Sequence, residues 1–415
     1  MYRDVLKNRH FLKLWGAQVA SQVAAQLLNY SLVIRIYEIA SGTRFANSSV
    51  SLFIVSIGLP AIFFAIPAGA YVDHMDRKRV LVWTNALRAL LVPLFILLDT
   101  QIIAVYIVAF IISIFSQFFV PAEGAALPKI VHKDHILAAN ALFIFTLNAS
   151  FIMGYSLAAP IIGNYGIHAV YIVVTLAFGI AWFLTLLLPK LPSTASDHVK
   201  LLSLFKSMRR TIKDHSVTIF KTKTLLFPIL LISVAQTIVG IIAALAPALS
   251  QTLFNLSLDK TSHYLIIPAG IGLIAGSAFS GLILRKLNKV KVIYSVLFAS
   301  AIGLISVPFL PLMPSQMVRP VLTGISTFGI GALGAIMVVS AQTLLQYAST
   351  DRLRGQIFGT LNMMINIAAL APVFIAGLLA DIFSPTLVVG GLGVLIVGFG
   401  LFMQWKFFGI TRQYS

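Results

Sequence analysis

The chain has 415 residues, of which 59% are hydrophobic and only 10% are charged, and 30 Lys and Arg face 12 Asp and Glu. Soluble domains carry about 25% charged residues, so this composition excludes a soluble globular protein and indicates a polytopic membrane protein. The sequence contains no cysteine, which excludes disulfides, thiol catalysis and thiolate metal sites.

Apolar runs long enough to cross a bilayer as helices recur from one end of the chain to the other. They predict twelve spans, at 11–39, 49–71, 80–98, 102–122, 138–163, 167–189, 226–251, 264–284, 291–311, 318–347, 356–382 and 385–408. Because the residues before the first span include no small-residue cleavage site, we expect a retained helix there and not a signal peptide.

The basic residues predict the orientation of these spans. Only four of the 30 Lys and Arg fall on one side of the membrane, namely Arg35, Arg44, Lys260 and Arg319. Basic residues in short loops stay in the cytoplasm, so we expect both termini to be cytoplasmic, in a plasma membrane or a bacterial inner membrane. The net charge of +18 then reflects topology and requires no nucleic-acid partner.

The first span contains the stretch QVASQVAAQLLN, in which four amides recur at steps of four, four and three residues: Gln18, Gln22, Gln26 and Asn29. This spacing places them on one side of a helix, over about 16 Å. Amides facing lipid would be left without partners, so the stripe either joins helices or lines a water-filled cavity. Its length favours the cavity.

The longest polar stretch divides the spans six and six, which predicts an N-terminal half at 1–189, a cytoplasmic linker at 190–224 and a C-terminal half at 225–415. Within the linker, 201–213 has an amphipathic pattern typical of an interfacial helix, and a solvated charged linker is the alternative.

Gly69 and Gly281 are separated by 212 residues, and Gln22 and Gln236 by 214. Matching residues at this nearly constant separation indicate two pseudo-symmetric halves. The predicted fold class is therefore all-α, with twelve transmembrane helices.

The stretch GAYVDHMDRKR at 69–79 follows the second span. It resembles the loop motif of the major facilitator superfamily. The segments FFVPAEGAALPKIV (118–131), DRLRGQIFGTLN (351–362) and GLLAD (377–381) resemble the third drug/proton antiporter family, which includes macrolide-efflux-type exporters.

This resemblance implies site residues. In the superfamily, a charge cluster at the loop motif latches the two halves together, and Gly69, Asp73, Arg77 and Glu123 match it here; Arg88, deeper in the third span, either reaches Glu123 or extends to the membrane surface. Spans 1, 4, 7 and 10 line a central cavity in that fold. The implied cavity residues are Gln18, Gln22, Gln26, Asn29, Gln117, Asn148, Gln236, Thr327, Asn362 and Asn366.

All twelve acidic residues lie in loops or near the ends of the predicted spans. Proton exchange usually requires a buried acid, and the remaining candidates for proton coupling are Glu38 with Arg35, Asp99 and Asp381. Anchoring at the membrane interface is the alternative for each of them. The cavity is therefore expected to be uncharged, which suits a bulky amphipathic substrate.

Enzyme signatures such as a phosphate-binding loop or H-E-x-x-H do not occur, so we expect no enzyme, cofactor or metal site. The sequence predicts a monomeric multidrug-type efflux antiporter that exports hydrophobic or amphipathic compounds in exchange for protons. A lipid or lysolipid flippase is one alternative, and a non-transporting membrane sensor or assembly partner is another.

Overall fold

A computed structural model describes residues 2–193, 219–254, 262–312, 318–348 and 351–407, with the side chains of 351–362 outside this description. The predicted amphipathic helix at 201–213 also lies outside the described residues.

The described residues are almost entirely helical. The helices are α1 (Tyr2–Lys7), α2 (Arg9–Ala40), α3 (Ala46–Asp73), α4 (Arg77–Leu91), α5 (Leu94–Leu98), α6 (Ile102–Ile130), α7 (Ile136–Tyr165), α8 (Ile167–Leu186), α9 (Lys223–Phe254), α10 (Ile267–Lys286), α11 (Lys289–Ser306), α12 (Val318–Ala348), α13 (Asp351–Ile382) and α14 (Pro385–Lys406). Short helical turns at Lys133–His135, Ser262–Ile266 and Val307–Leu312 complete the set of described elements.

Eleven spans within the described ranges are long and apolar enough to cross a membrane. The remaining long helix, α2, has 32 residues, and its amide side chains keep it outside that apolar set. The all-α membrane fold that the sequence predicts is therefore confirmed.

Local sequence explains several helix boundaries. The side chain of Asp76 accepts a hydrogen bond from the backbone N–H of Lys78 and so caps α4, and Asn288 caps α11 in the same way. Pro93 has no N–H to donate, and it separates α4 from α5. At the end of α7, Gly166 adopts a positive φ of 78°, which is open to glycine without steric cost.

The chain divides into two compact units. Unit 1 comprises Met1–Arg35 and Ser56–Thr211, and unit 2 comprises Ile36–Val55 and Ile212–Ser415. The last residues of α2 and the first residues of α3 thus belong to unit 2, although they precede the predicted linker.

Unit 1 has an apolar core near the ends of α2, α3, α6 and α7, in which Phe11, Val72, Phe119 and Phe143 are buried. Between α2 and α7 the backbones touch: a Cβ added at Gly154 would lie 2.5 Å from Cβ of Gln26 and 2.6 Å from the backbone N of Leu27. In the membrane such close approach of helices depends on small residues.

Unit 2 shows the same kind of contact between α10 and α12. A Cβ at Gly272 would lie 2.1 Å from the carbonyl oxygen of Phe328, and one at Gly276 would lie 2.2 Å from that of Ala332. From the other side, a Cβ at Gly331 would lie 2.2 Å from the carbonyl oxygen of Ala269. Three glycines therefore set the distance between these two helices.

Candidate functional site

A cavity of about 160 Å³ lies within unit 1, between α2, α3, α4 and α6. Its polar lining consists of two amides, two hydroxyls and one guanidinium, from Gln22, Asn29, Ser113, Ser116 and Arg88. Its apolar lining includes Leu28, Leu32, Ile57, Ile112, Phe119 and Val120. A mostly apolar wall with a few polar groups is typical of sites for small organic ligands.

The amide stripe of α2 divides between this cavity and the neighbouring helix α7. Gln22 and Asn29 line the cavity. Gln18 is buried and donates from Nε2 to the carbonyl oxygen of Phe143 at 3.3 Å, and Gln26 lies against Gly154. Four residues advance a helix by 400° and three by 300°, so the two four-residue steps each rotate the stripe by about 40° and the last step turns it back by about 60°. Gln26 therefore lies farthest round the helix from Asn29. Both interpretations of the stripe, helix joining and cavity lining, thus have contacts that support them.

The hydroxyls of α6 contribute in two ways. Ser113 donates from Oγ to the carbonyl oxygen of Ile57 on α3 at 2.6 Å, and so joins two walls of the cavity. Ser116 donates to Ile112 of its own helix at 3.1 Å. Gln117, a predicted cavity residue, is half-buried and donates to the carbonyl oxygen of Ser113 at 3.4 Å.

Arg88 is the charged group on the cavity wall, and only 2% of it is exposed. Its Nε donates to the carbonyl oxygen of Thr84 at 3.1 Å, and its Nη2 donates to Oδ1 of Asn85 at 2.8 Å. The guanidinium carbon lies 4.4 Å from the ring centroid of Phe119 and 4.9 Å from that of Phe178. These cation–π contacts and hydrogen bonds hold the side chain inside the protein and away from the membrane surface.

Glu123 is the buried carboxylate that interacts electrostatically with Arg88, and 5% of it is exposed. The predicted fourth span ended at residue 122, which would place Glu123 at the membrane surface. This boundary is wrong, because α6 continues to Ile130. Among the described residues, Oε1 of Glu123 has no hydrogen-bond partner.

The cavity of unit 1 carries a charged group, since Arg88 lies on its wall, and the expectation of an uncharged central cavity stays a prediction. Ser116, Phe119 and Glu123 follow one another at helical spacing on α6, so Glu123 lies one turn beyond the cavity lining. A buried cation on the wall and a buried acid one turn away form a pair with no net charge.

The loop motif contacts the beginning of the central linker. Arg77 is buried; its backbone N donates to the carbonyl oxygen of Leu191 at 3.1 Å, and its Nη1 donates to that of Pro192 at 3.2 Å. Oδ1 of Asp76 accepts from the backbone N of Leu191 at 3.3 Å. Ser193 donates to the carbonyl oxygen of Asp73 at 2.6 Å, and the Lys129 ammonium also reaches Pro192. Residues 191–193 are thereby held against the motif.

The predicted latch pairs are not formed in this arrangement. Within the described residues, Arg77 makes no ion pair with Asp73 or Glu123, and the side chain of Asp73 is exposed. A Cβ at Gly69 would meet nothing within 4 Å, so no close helix contact depends on this glycine here. The latch role of this cluster stays a prediction.

The remaining predicted cavity residues lie apart from the cavity of unit 1. Asn148 is exposed and donates to Ile144 of its own helix at 2.9 Å. In unit 2, Gln236 and Asn366 are exposed, whereas Thr327 is buried and donates to the carbonyl oxygen of Thr323 at 2.9 Å. The side chain of Asn362 lies outside the described residues.

The predicted proton-coupling residues occupy three different settings. Nε of Arg35 lies 3.2 Å from Oδ2 of the buried Asp99, and Nε2 of His168 lies 3.5 Å from the same atom. Glu38 is half-buried near the end of α2. Both carboxylate oxygens of Asp381 accept backbone N–H groups, from Asn47 at 2.8 Å and from Ser48 at 2.9 Å.

Sequence reasoning missed three residues of these clusters: Asn85, Asp76 and His168. Asn85 precedes Arg88 by three residues on the same helix face, which is a usable signal. Asp76 directly precedes α4, and aspartate at this position is typical of an N-cap. His168 is separated from Asp99 by 69 positions, and no local pattern connects the two.

These features define a polytopic helical membrane transporter with a ligand-sized cavity in its first unit. The family model of the Major Facilitator Superfamily matches residues 14–372, so the chain belongs to this superfamily. It is a transporter and not an enzyme.

Relatives and solved structures agree with this assignment. An uncharacterized MFS-type transporter of Bacillus subtilis, YkuC, is 28% identical over 69% of this chain and 67% of its own length. Macrolide efflux protein A of Streptococcus pyogenes is 25% identical over 72% of this chain and 73% of its own. The nucleoside transporter NupG superposes with a TM-score of 0.70 at 17% identity, covering 98% of this chain and all of its own. The POT family transporter PepTSo gives a TM-score of 0.73 at 12% identity, with 98% of each chain covered.

Proposed function

We propose that the chain is a secondary active exporter of hydrophobic or amphipathic compounds that works by alternating access and is driven by the proton gradient. It would act as a monomer in the plasma membrane with both termini cytoplasmic. The similarity to a macrolide efflux protein supports this substrate class.

The observation that carries the proposal is the lining of the cavity in unit 1. The amides of Gln22 and Asn29 offer both donors and acceptors, and the surrounding leucine, isoleucine and phenylalanine side chains offer apolar contact. A cavity of this volume holds about one benzene-sized ring. It therefore suits one ring or head group of a larger amphipathic molecule.

Glu123 is our first candidate for the proton site, ahead of Glu38, Asp99 and Asp381. Its carboxylate is buried, Oε1 has no hydrogen-bond partner in the part of the chain that the structure describes, and the attraction of Arg88 favours the charged form. An ionised carboxylate with few partners is costly inside a protein, and such groups exchange protons when their surroundings change. Arg88 connects this acid to the cavity wall.

Efflux in cells tests the proposal. In cells that lack their own drug pumps, expression of the protein should lower the accumulation of radiolabelled erythromycin or of ethidium, and a protonophore should restore it. Gln22→Leu should reduce this effect at least about tenfold, because the substitution removes an amide from the cavity wall. Gln18→Leu is the matched control, since the same change in the same helix lies outside the cavity.

Two results would count against the proposal. One is unchanged accumulation of both compounds in cells whose membranes contain the protein. The other is an equal loss of efflux in the Gln22 and Gln18 variants at equal expression, which would mean that the cavity has no special part in transport.

A further inference from the structure

The N-terminus of α3 receives its cap from a different helix. Asp381, in the last turn of α13, accepts the backbone N–H groups of Asn47 and Ser48 at 2.8 and 2.9 Å. Nδ2 of Asn47 also donates to the carbonyl oxygen of Ala380 at 3.4 Å. The first N–H groups of a helix have no partner within the helix and carry its positive dipole end, so a carboxylate binds well there.

Gly377, one turn before Asp381, allows α13 to approach α3 this closely. A Cβ at Gly377 would lie 2.1 Å from Oγ and 2.6 Å from Cβ of Ser51, and 2.8 Å from the carbonyl oxygen of Asn47. Ser51 is fully buried in this contact. Gly377 therefore sets the distance between α13 and α3, and Asp381 makes the hydrogen bonds between them.

The same Gly-x-x-x-Asp sequence occurs at the other end of α3, as Gly69 to Asp73. There Asp73 is exposed and a Cβ at Gly69 would meet nothing within 4 Å. The 28 residues of α3 place its two ends about 40 Å apart, at opposite faces of a membrane. One copy of the device makes its contact at one face, and among the described residues the other copy makes no such contact at the opposite face.

A second bond lies at the engaged end. The hydroxyl of Tyr37, near the end of α2, donates to Oε1 of Gln251, near the end of α9, at 3.0 Å. Both contacts join the α2–α3 connection to helices of the second sequence half, and all of these residues belong to unit 2.

We propose that Gly377 and Asp381 form a gate latch, which closes this face of the transporter by capping α3 and which opens once in each transport cycle. Alternating access requires contacts that close one face while the other is open, and a cap between helices can be made and broken without unfolding either helix. Asp381 acts in this latch as a positioning residue of the transport cycle.

The test uses the absence of cysteine from the chain. Ser51→Cys introduces one thiol at the buried contact with little change of shape. The purified protein in detergent is reacted with a hydrophilic maleimide, and the labelling rate reports how often this face opens. Asp381→Asn and Gly377→Ala should each increase the rate at least about tenfold, because both weaken the capped state. Gly398→Ala is the matched control, because a Cβ at this helical position would meet nothing within 4 Å, and it should leave the rate unchanged.

Two further variants separate a latch from a general structural role. Ser48→Pro removes one of the capping N–H donors at a position in the first turn where proline is tolerated, and it should also increase labelling. Asp381→Glu keeps the carboxylate and should restore slow labelling. Thermal melting monitors folding in every variant.

Unchanged labelling in both Asp381→Asn and Ser48→Pro, in protein that melts as the parent does, would overturn the latch. So would equal acceleration by Gly398→Ala. The labelling rate requires no substrate, so this test stands apart from the efflux assay and can fail or succeed independently of it.

Discussion

At the residue scale, the main feature of the site is a buried cation in a helix that must cross the membrane. Arg88 lies about 16 Å along α4 from its first residue, and its side chain is held by Thr84, Asn85 and two phenylalanine rings. Charged residues within membrane spans are costly, and they usually mark substrate or ion pathways. Its position between Glu123 and the cavity fits that role.

Gly154 offers a prediction on packing in unit 1. Gly154→Ala should destabilise the protein by about 1–3 kcal/mol, since the added methyl group would collide with the backbone N of Leu27. Gly179→Ala is the control: it also lies within a helix, but its Cβ would meet nothing within 4 Å. Thermal melting should show a lower midpoint for the first variant and an unchanged or higher one for the second. Equal midpoints would contradict the contact between α2 and α7.

Residues of the site were predictable from sequence to different degrees. Gln22 and Asn29 follow from polar spacing within an apolar span, and both line the cavity of unit 1. That this cavity binds the substrate stays a prediction. Glu123 was placed at the end of the fourth predicted span, whereas α6 contains both Pro121 and Pro128 and continues past them. Prolines within membrane helices are tolerated when neighbouring groups satisfy the backbone, and a single sequence does not show those neighbours.

At the element scale, the loop motif has a function in this structure that its sequence did not predict. The basic cluster was expected to pair with Asp73 and Glu123. Arg77 and Asp76 instead hold Leu191 and Pro192, the first residues of the linker. The linker therefore begins at a fixed point on unit 1.

Limited proteolysis tests this anchor. Lys190 is exposed, and the bond that follows it leads into Leu191, whose backbone N and O are both engaged. Arg77→Met should accelerate tryptic cleavage after Lys190 about tenfold, because it removes a charge-assisted hydrogen bond to Pro192. Arg79→Met removes the same charge from an exposed side chain and should not change the rate. Equal rates in the two variants would mean that the anchor does not protect the linker.

The helices themselves were more predictable than their functions. Length and hydropathy place eleven spans within the described ranges, and α2 lies at the position of the remaining predicted span. The main deviations are α6, which is longer than predicted, and the third span, which Pro93 divides into α4 and α5. The Asp381 cap joins residues 334 positions apart in sequence. No periodicity encodes a partner at that distance, although the shared Gly-x-x-x-Asp sequence at both sites is a visible signal.

At the scale of the whole molecule, the chain combines a superfamily fold with a site that its sequence only partly predicts. Membership of the Major Facilitator Superfamily rests on a match across residues 14–372, and solved transporters share the fold at 17% identity or less. At such low identity the comparison shows the fold alone, and the substrate has to be inferred from the side chains of this chain. We propose that the cavity amides bind the ligand and that the pair formed by Arg88 and Glu123 couples its transport to a proton.

Gradient-driven transport in liposomes tests this central claim most directly. Purified protein is reconstituted into vesicles with an acidic interior, and the accumulation of radiolabelled erythromycin is followed with and without an ionophore that collapses the pH gradient. The parent protein should accumulate erythromycin only while the pH gradient is present. Glu123→Gln should lose this accumulation but still exchange substrate at equilibrium. Gradient-dependent accumulation that persists undiminished in Glu123→Gln would exclude Glu123 as the proton site.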